Sequence, residues 1–444
     1  MIQKTAQDTL ASVEMDCGEI PEYGTSDGSV WRMKLIRTFA RIIRTALKTI
    51  KIEENAARTD YIFILLCIVP LIACHAGEHP FASKAEKILS RTVRHGKGEL
   101  KQVNGIPVLI LQGKPEQMGA QYGNILGELI RGLEQHLDEH VYISPQQKCA
   151  AQMFVSSLEK NISDRYRKEL KAAARASGAS YRSLLLLNSI GDVFNMGCST
   201  FAVWGKRSFD GNPLFGRNLD FYTFDLADKL NMILICRPEG RNRFAACAIA
   251  GLSAVYSGMN EHGLCLGNML AHNAKNRLNP TGMFSGFGFR QILEESSTVT
   301  EACALIKKQE YCGGNNLMLV DPANKPCIAE IDARTVLYRK PEAEYIYATN
   351  HFTFKDLAAH PVSCRRYNTL LRQLEYTSSP LSIEQSKELL TKTAIKSINL
   401  QSMIFRPRTR EMYCSLKNIP AAEGPFVRID CRTHFKRAAT RTAP

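Results

Sequence analysis

The sequence changes character at Gly197. Ahead of that residue, apolar side chains recur at helical spacing. Beyond it they come in short alternating runs broken by turn residues. The first half opens with a strand at 106–111. Gly113, Gly119 and Gly123 then lead into a helix carrying Ile125, Leu126, Leu129, Ile130 and Leu133. Helices over 146–160 and 163–178 follow, the second stopped by Gly178, and a further helix opens at Ser180. Beyond Gly197, strands are predicted at 198–204, 213–220, 231–237, 243–250, 252–258 and 263–270, then helices at 285–296 and 298–309. Strands return at 315–321, 326–332 and 344–349, helices at 361–374 and 382–393, and a hairpin closes the pattern at 401–416. Strands and helices alternate in blocks with no βαβ rhythm. That predicts an α+β protein, with antiparallel sheets covered by helices.

The charge of +14 is diffuse apart from a basic tail, and neither zinc-finger spacing nor an aromatic RNA-binding signature accompanies it. The reading is therefore no nucleic acid, and no metal or other cofactor. The fourteen cysteines are scattered, without C-x-x-C or a zinc-site set, and read mainly as small core residues.

Residues 61–73 form an uncharged apolar run too short for a membrane span and suited to a secretory h-region. It ends in Leu71-Ile72-Ala73-Cys74, where Cys74 is the candidate for lipidation. Upstream, 33–51 holds six basic and no acidic residues at amphipathic spacing, which suits an anionic membrane surface. The expectation is membrane association through this segment and a place in the cell envelope, anchored or outside the cytoplasm. The domain reading is 1–75 as basic extension plus signal-like or anchor segment, 76–197 as a mainly helical part, 198–420 as the catalytic part and 421–444 as a basic tail.

The chemistry centres on Cys198. It lies at the junction of helical and strand-like sequence, preceded by Gly197. Arg217-Asn218-Leu219-Asp220 follows after the turn Asp210-Gly211-Asn212, so two strands joined there return Arg217 and Asp220 towards the thiol. A guanidinium beside a thiol favours the thiolate, the reactive form. Taken alone, a cysteine at a strand start is more often core than nucleophile.

Gly197-Cys198-Ser199-Thr200-Phe201-Ala202, Asp210-Gly211-Asn212 and Gly216-Arg217-Asn218-Leu219-Asp220-Phe221 resemble the isopenicillin-N acyltransferase family of cysteine N-terminal-nucleophile hydrolases. That family is related to the bile-salt (choloylglycine) hydrolases, penicillin V acylases and acid ceramidases. Gly113 to Gly123, Tyr166 to Gly178, Asn260-Glu261-His262-Gly263-Leu264 and Thr349-Asn350-His351 match in the same order, so the resemblance covers about 105 to 416. It implies a four-layer αββα sandwich. It implies self-cleavage between Gly197 and Cys198, after which the new α-amine serves as base and the thiol as nucleophile towards an N-acyl amide, through a thioester. The two chains of the precursor would stay paired, and the substrate would be a small molecule. The resemblance assigns Cys198 as nucleophile, Arg217 and Asp220 beside it, Asn350 as holder of the amine or oxyanion, and Arg366 as the second arginine. Asn268 is the candidate for a further oxyanion donor, although its offset from the Asn260 turn differs from that of the bile-salt hydrolases.

A papain-like reading, with His262 or His351 as base, lacks the C-G-S-C-W signature. The Asn260 turn also reads simply as a hairpin. The alternative function is an exported lipoprotein that keeps the fold to bind ligand without turnover.

Overall fold

The computed structural model describes residues 81–435 except 142–147, 150–151, 153–154, 157–158, 194–196, 224–225, 272–278, 280, 333, 359–363 and 378. The apolar run at 61–73, Cys74 and the basic amphipathic segment lie outside the described residues. Among the described residues no helix is long and apolar enough to cross a membrane.

Strands β1 (Val93–His95), β2 (Gly98–Val103) and β3 (Ile106–Gly113) open the fold, after helix α1 (Ala82–Leu89). Helices α2 (Pro115–His136), α3 (Asp164–Ser177) and α4 (Tyr181–Val193) follow. The strand-rich half begins with β4 (Gly197–Gly205) and β5 (Gly211–Asp220), then β6 (Asn231–Pro238), β7 (Phe244–Ile249), β8 (Ser257–Asn260) and β9 (Cys265–Leu270). Helices α5 (Ser285–Glu295) and α6 (Val299–Ile306) lead to β10 (Asn315–Val320), β11 (Cys327–Asp332), β12 (Thr335–Arg339) and β13 (Tyr345–Ala348). Helices α7 (Arg365–Glu375) and α8 (Ile383–Thr393) precede β14 (Asn399–Arg406), β15 (Glu411–Ser415), β16 (Val427–Asp430) and α9 (Cys431–Phe435).

The strands form two sheets. One has ten strands in the order β1-β2-β3-β6-β7-β8-β9-β10-β11-β12, the other six in the order β13-β4-β5-β14-β15-β16. Alternation along the strands sorts side chains between two cores. Val108, Ile110, Ile233 and Ile235 face the six-stranded sheet and pack with Phe215, Met403 and Phe405. Leu109, Leu111 and Leu234 face the other way, onto a helical layer that includes Leu126, Tyr166, Leu185 and Phe287. On the far side of the six-stranded sheet, Phe201, Val203 and Ile404 meet Leu370, Leu374 and Leu389 of α7 and α8. The result is helix, sheet, sheet, helix: a four-layer αββα sandwich, as expected from the sequence.

Local details depart from the sequence expectation. β3 and β6 pair in parallel, because helices and the β4–β5 hairpin of the other sheet intervene between them. Residues 252–256 are not strand: Asn188 of α4 accepts from the backbone N–H groups of Ser253 and Ala254, which takes those donors from any ladder. Gly119 and Gly123 lie inside α2 rather than ahead of it. A Cβ there would stand 2.0 Å from the Glu169 carbonyl oxygen and 2.4 Å from that of Ala173, so they permit close crossing with α3. Past residue 420 the chain contributes β16 to the six-stranded sheet.

A buried ion pair ties the helical layer across the Gly197 junction. Arg290 of α5 donates to both carboxylate oxygens of Glu169 on α3 at 2.7 Å, and to Glu294 at 2.9 Å.

Candidate active site around Cys198

Cys198 is the second residue of β4, wholly buried between the sheets. β4 and β5 run antiparallel, with Cys198 opposite Leu219 and Thr200 opposite Arg217. Arg217 is thus a diagonal neighbour of Cys198 on the same face, within reach of a long side chain. Its Nη2 lies 3.7 Å from the Cys198 Sγ. The guanidinium crosses to the other sheet, where Nη2 donates to the Asn268 backbone oxygen at 2.6 Å and to its Oδ1 at 3.2 Å. Gly267 makes room for it, since a Cβ there would lie 2.5 Å from Arg217 Cδ. Burial raises the Cys198 thiol, and Arg217 opposes that rise without cancelling it.

The backbone of Cys198 is held as firmly as its side chain. Its N–H donates to Asn350 Oδ1 at 2.6 Å, and its carbonyl accepts from Arg366 Nη1. Arg366 Nη2 also donates to Asn350 Oδ1 at 3.0 Å, and Asn350 Nδ2 donates to the Leu270 carbonyl at 2.8 Å. The loop bearing Asn350 is pinned by Asn316, whose Nδ2 donates to the carbonyls of Thr349 and His351 at 2.9 and 2.6 Å.

Asp220 pairs with Gly197 at the base of the hairpin. It accepts from Asn399 Nδ2 at 2.8 Å and stands 4.0 Å from Arg366. Burial raises its carboxyl to about 6, against the pull of Arg366. Gly197 does not use a left-handed conformation; it serves by being small. A Cβ there would meet Ile395 Cδ1 at 2.5 Å and Asp220 Cβ at 3.1 Å.

The six residues Cys198, Arg217, Asp220, Asn268, Asn350 and Arg366 therefore form one contiguous cluster. The histidines are engaged elsewhere: His262 Nε2 pairs with Asn242 at 3.2 Å, and His351 Nδ1 with Thr349 Oγ1 at 3.0 Å. Asn260 ties its turn together by accepting from His262 and Leu264 and donating to Leu293 and Ser296, a structural knot. Beside His351 lies Cys364. Burial would raise this thiol, but hydrogen bonding to His351 and the Arg366 charge outweigh it and lower it to about 6. Among the described residues no cluster of His, Cys, Asp or Glu suits a metal ion.

Four participants escaped the sequence reading: Asn315, Asn316, Asn399 and Cys364. Asn315-Asn316 left a signal, two amides opening an otherwise apolar buried strand.

Residues 208–418 match the family model for acyl-coenzyme A:6-aminopenicillanic acid acyl-transferase. No curated protein matches. Solved structures with similarity include the N-acylethanolamine-hydrolyzing acid amidase ortholog of Caenorhabditis elegans, at 15% identity and TM-score 0.39, covering 47% of this chain and 93% of that one. A mutant conjugated bile acid hydrolase from Clostridium perfringens has 12% identity, TM-score 0.38 and coverage of 53% and 93%. Penicillin V acylase from Agrobacterium tumefaciens has 11% identity, TM-score 0.34 and coverage of 53% and 86%.

Proposed function

We propose, from the match of residues 208–418 to the acyl-coenzyme A:6-aminopenicillanic acid acyl-transferase model, a self-activated cysteine acylase or acyltransferase acting on an N-acyl amide. The observation that carries this reading is the treatment of Cys198: its sulfur faces Arg217 while its nitrogen is held by Asn350. A purely structural cysteine needs neither.

In the uncut chain the Cys198 nitrogen is an amide and cannot act as a base. Activation begins when the thiol adds to the Gly197 carbonyl and the acyl group shifts from nitrogen to sulfur. Water then hydrolyses the thioester, leaving a Gly197 carboxylate and a free Cys198 amine. A free α-amine has a pKa of about 7.7–8.0, suited to a base at neutral pH. Asn350 Oδ1, already the acceptor for that nitrogen, would orient it. In turnover the amine takes the thiol proton and the thiolate attacks the substrate carbonyl. The departing amine leaves with a proton, and an acyl-thioester remains. Water or an acceptor amine resolves it. Arg217 favours the thiolate, and Asn268 is the candidate donor to the oxyanion. Asp220 and Arg366 hold the first strand residues in place.

We also propose that the two fragments stay together. The parallel β3–β6 pairing and the Glu169–Arg290 ion pair both cross the junction, which supports this.

The test is intact mass with N-terminal sequencing. Active protein should contain a fragment starting at Cys198, co-eluting with its partner fragment. Cys198→Ala should remain one chain and turn over nothing. An active enzyme uncut at this bond would sink the proposal.

A further inference from the structure

A line of buried hydrogen bonds leaves the site and ends on a carboxylate that the mechanism above does not use. Arg217 Nη2 donates to Asn268 Oδ1 at 3.2 Å. Asn268 Nδ2 donates to Asn315 Oδ1 at 3.0 Å, and Asn315 Nδ2 donates to Ser285 Oγ at 3.0 Å. Ser285 donates its backbone N–H to both oxygens of Asp192, at 3.2 and 3.0 Å. Arg217, Asn268, Asn315, Ser285 and Asp192 are all at most 2% exposed.

The direction of these bonds is uniform. Along the line, every donor points away from Arg217 and towards Asp192. A guanidinium only donates, so Arg217 fixes Asn268 Oδ1 towards itself. Asn268 Nδ2 must then donate to Asn315 Oδ1, and Asn315 Nδ2 to Ser285 Oγ. Reversing either amide would set donor against donor at the end nearer Arg217. Buried networks of this kind are costly when only partly satisfied, so the order propagates.

We infer that Asp192 is a positioning residue: by anchoring the Ser285 backbone it places the hydroxyl that accepts from Asn315, and through Asn315 and Asn268 it holds Arg217 beside Cys198. Asp192 lies on α4, ahead of Gly197, whereas the other members lie beyond it. The segment before the junction therefore supplies part of the working site. The kinetic arm of this inference rests on the acylase reading; the geometric arm does not.

Among the described residues, Tyr256 ahead of β8 and Cys312 ahead of β10 are titratable groups that feel the Asp192 charge, and burial raises both away from the neutral range. Burial also raises Asp192, to about 7, against the Ser285 bonds. The chain of bonds therefore has one end that changes charge near neutrality.

The experiment compares wild type, Ser285→Ala, Asp192→Asn and the double variant. One readout is kcat and KM on an N-acyl amide. The other is the pH at which Cys198 alkylation by iodoacetamide half-develops, mapped by mass spectrometry. Ser285→Ala breaks the line without changing charge. It should lower kcat about tenfold with KM unchanged. It should raise the Cys198 midpoint by about one unit, a tenfold change in thiolate. Asp192→Asn should do the same, and the double variant no more than either single one. If Asp192→Asn does not fold, Ser285→Ala decides alone. Wild-type kcat and midpoint in Ser285→Ala would overturn the inference. So would additive effects, or a lowered midpoint confined to Asp192→Asn, as removal of charge alone would give. A midpoint that moves as expected in a protein that cleaves no N-acyl amide would sink the acylase reading and leave the inference standing.

Discussion

Asn350 Oδ1 accepts from two groups at once, the backbone nitrogen of Cys198 at 2.6 Å and Arg366 Nη2 at 3.0 Å. One oxygen thus fixes the nitrogen that would become the base relative to a cation. Asn350→Ala should lower kcat on the order of 100-fold, as loss of a preorganised polar group does elsewhere. Circular dichroism should be unchanged. Wild-type kcat in Asn350→Ala would remove this residue from the site.

The raised carboxyl of Asp192 makes stability depend on pH in a defined direction. Its ordinary value is 3.8 and its folded value about 7. Between these values the folded state binds the proton more tightly than the unfolded state does. This group's contribution is therefore greatest below pH 3.8, falls as pH rises towards 7, and is flat above. Asp192→Asn removes that fall. Urea midpoints measured on a Cys198→Ala background should show the Asp192→Asn variant gaining on its parent as pH rises from about 4 to about 7. A constant difference across that range would contradict the prediction.

Glu169→Gln leaves the buried Arg290 with one carboxylate partner instead of two. Breaking a buried ion pair costs about 3–5 kcal/mol. The variant should unfold at clearly lower urea, again read on Cys198→Ala to keep one chain. A loss below about 1 kcal/mol would mean that Glu294 and the stacked Tyr166 suffice for Arg290.

The reading of residues 1–75 as an export and anchoring segment stands as a proposal. It rests on the apolar run that ends at Cys74. Cys74→Ala should lose lipid labelling or membrane association on fractionation. Recovery of both proteins in the soluble cytoplasmic fraction would show that the segment does something else.

Much of the fold was legible because its signals are local. The hairpin that brings Arg217 to Cys198 is written in Asp210-Gly211-Asn212 and in flanking apolar alternation, and the strand pairing follows. The helical layer is written in the spacing of α2 and α3. Relations made by the packing of distant segments were not legible. Asn399 meets Asp220 from 179 residues away, and Ser285 meets Asp192 from 93. Asparagine and serine are common in turns, so nothing near either residue marks it as part of a polar line. The parallel β3–β6 pair was hidden for a related reason: it depends on which sheet the intervening hairpin joins.

That parallel pair has a consequence for how the protein must be made. β6 is hydrogen-bonded to β3 on one side and β7 on the other. Without the first segment, β6 would be a bare sheet edge, an apolar strand buried on both faces in the intact fold. Such edges recruit other chains. The second segment expressed alone, from Cys198 onward, should therefore aggregate. Supplying 81–197 from a separate gene should restore soluble protein only if both polypeptides are synthesised together.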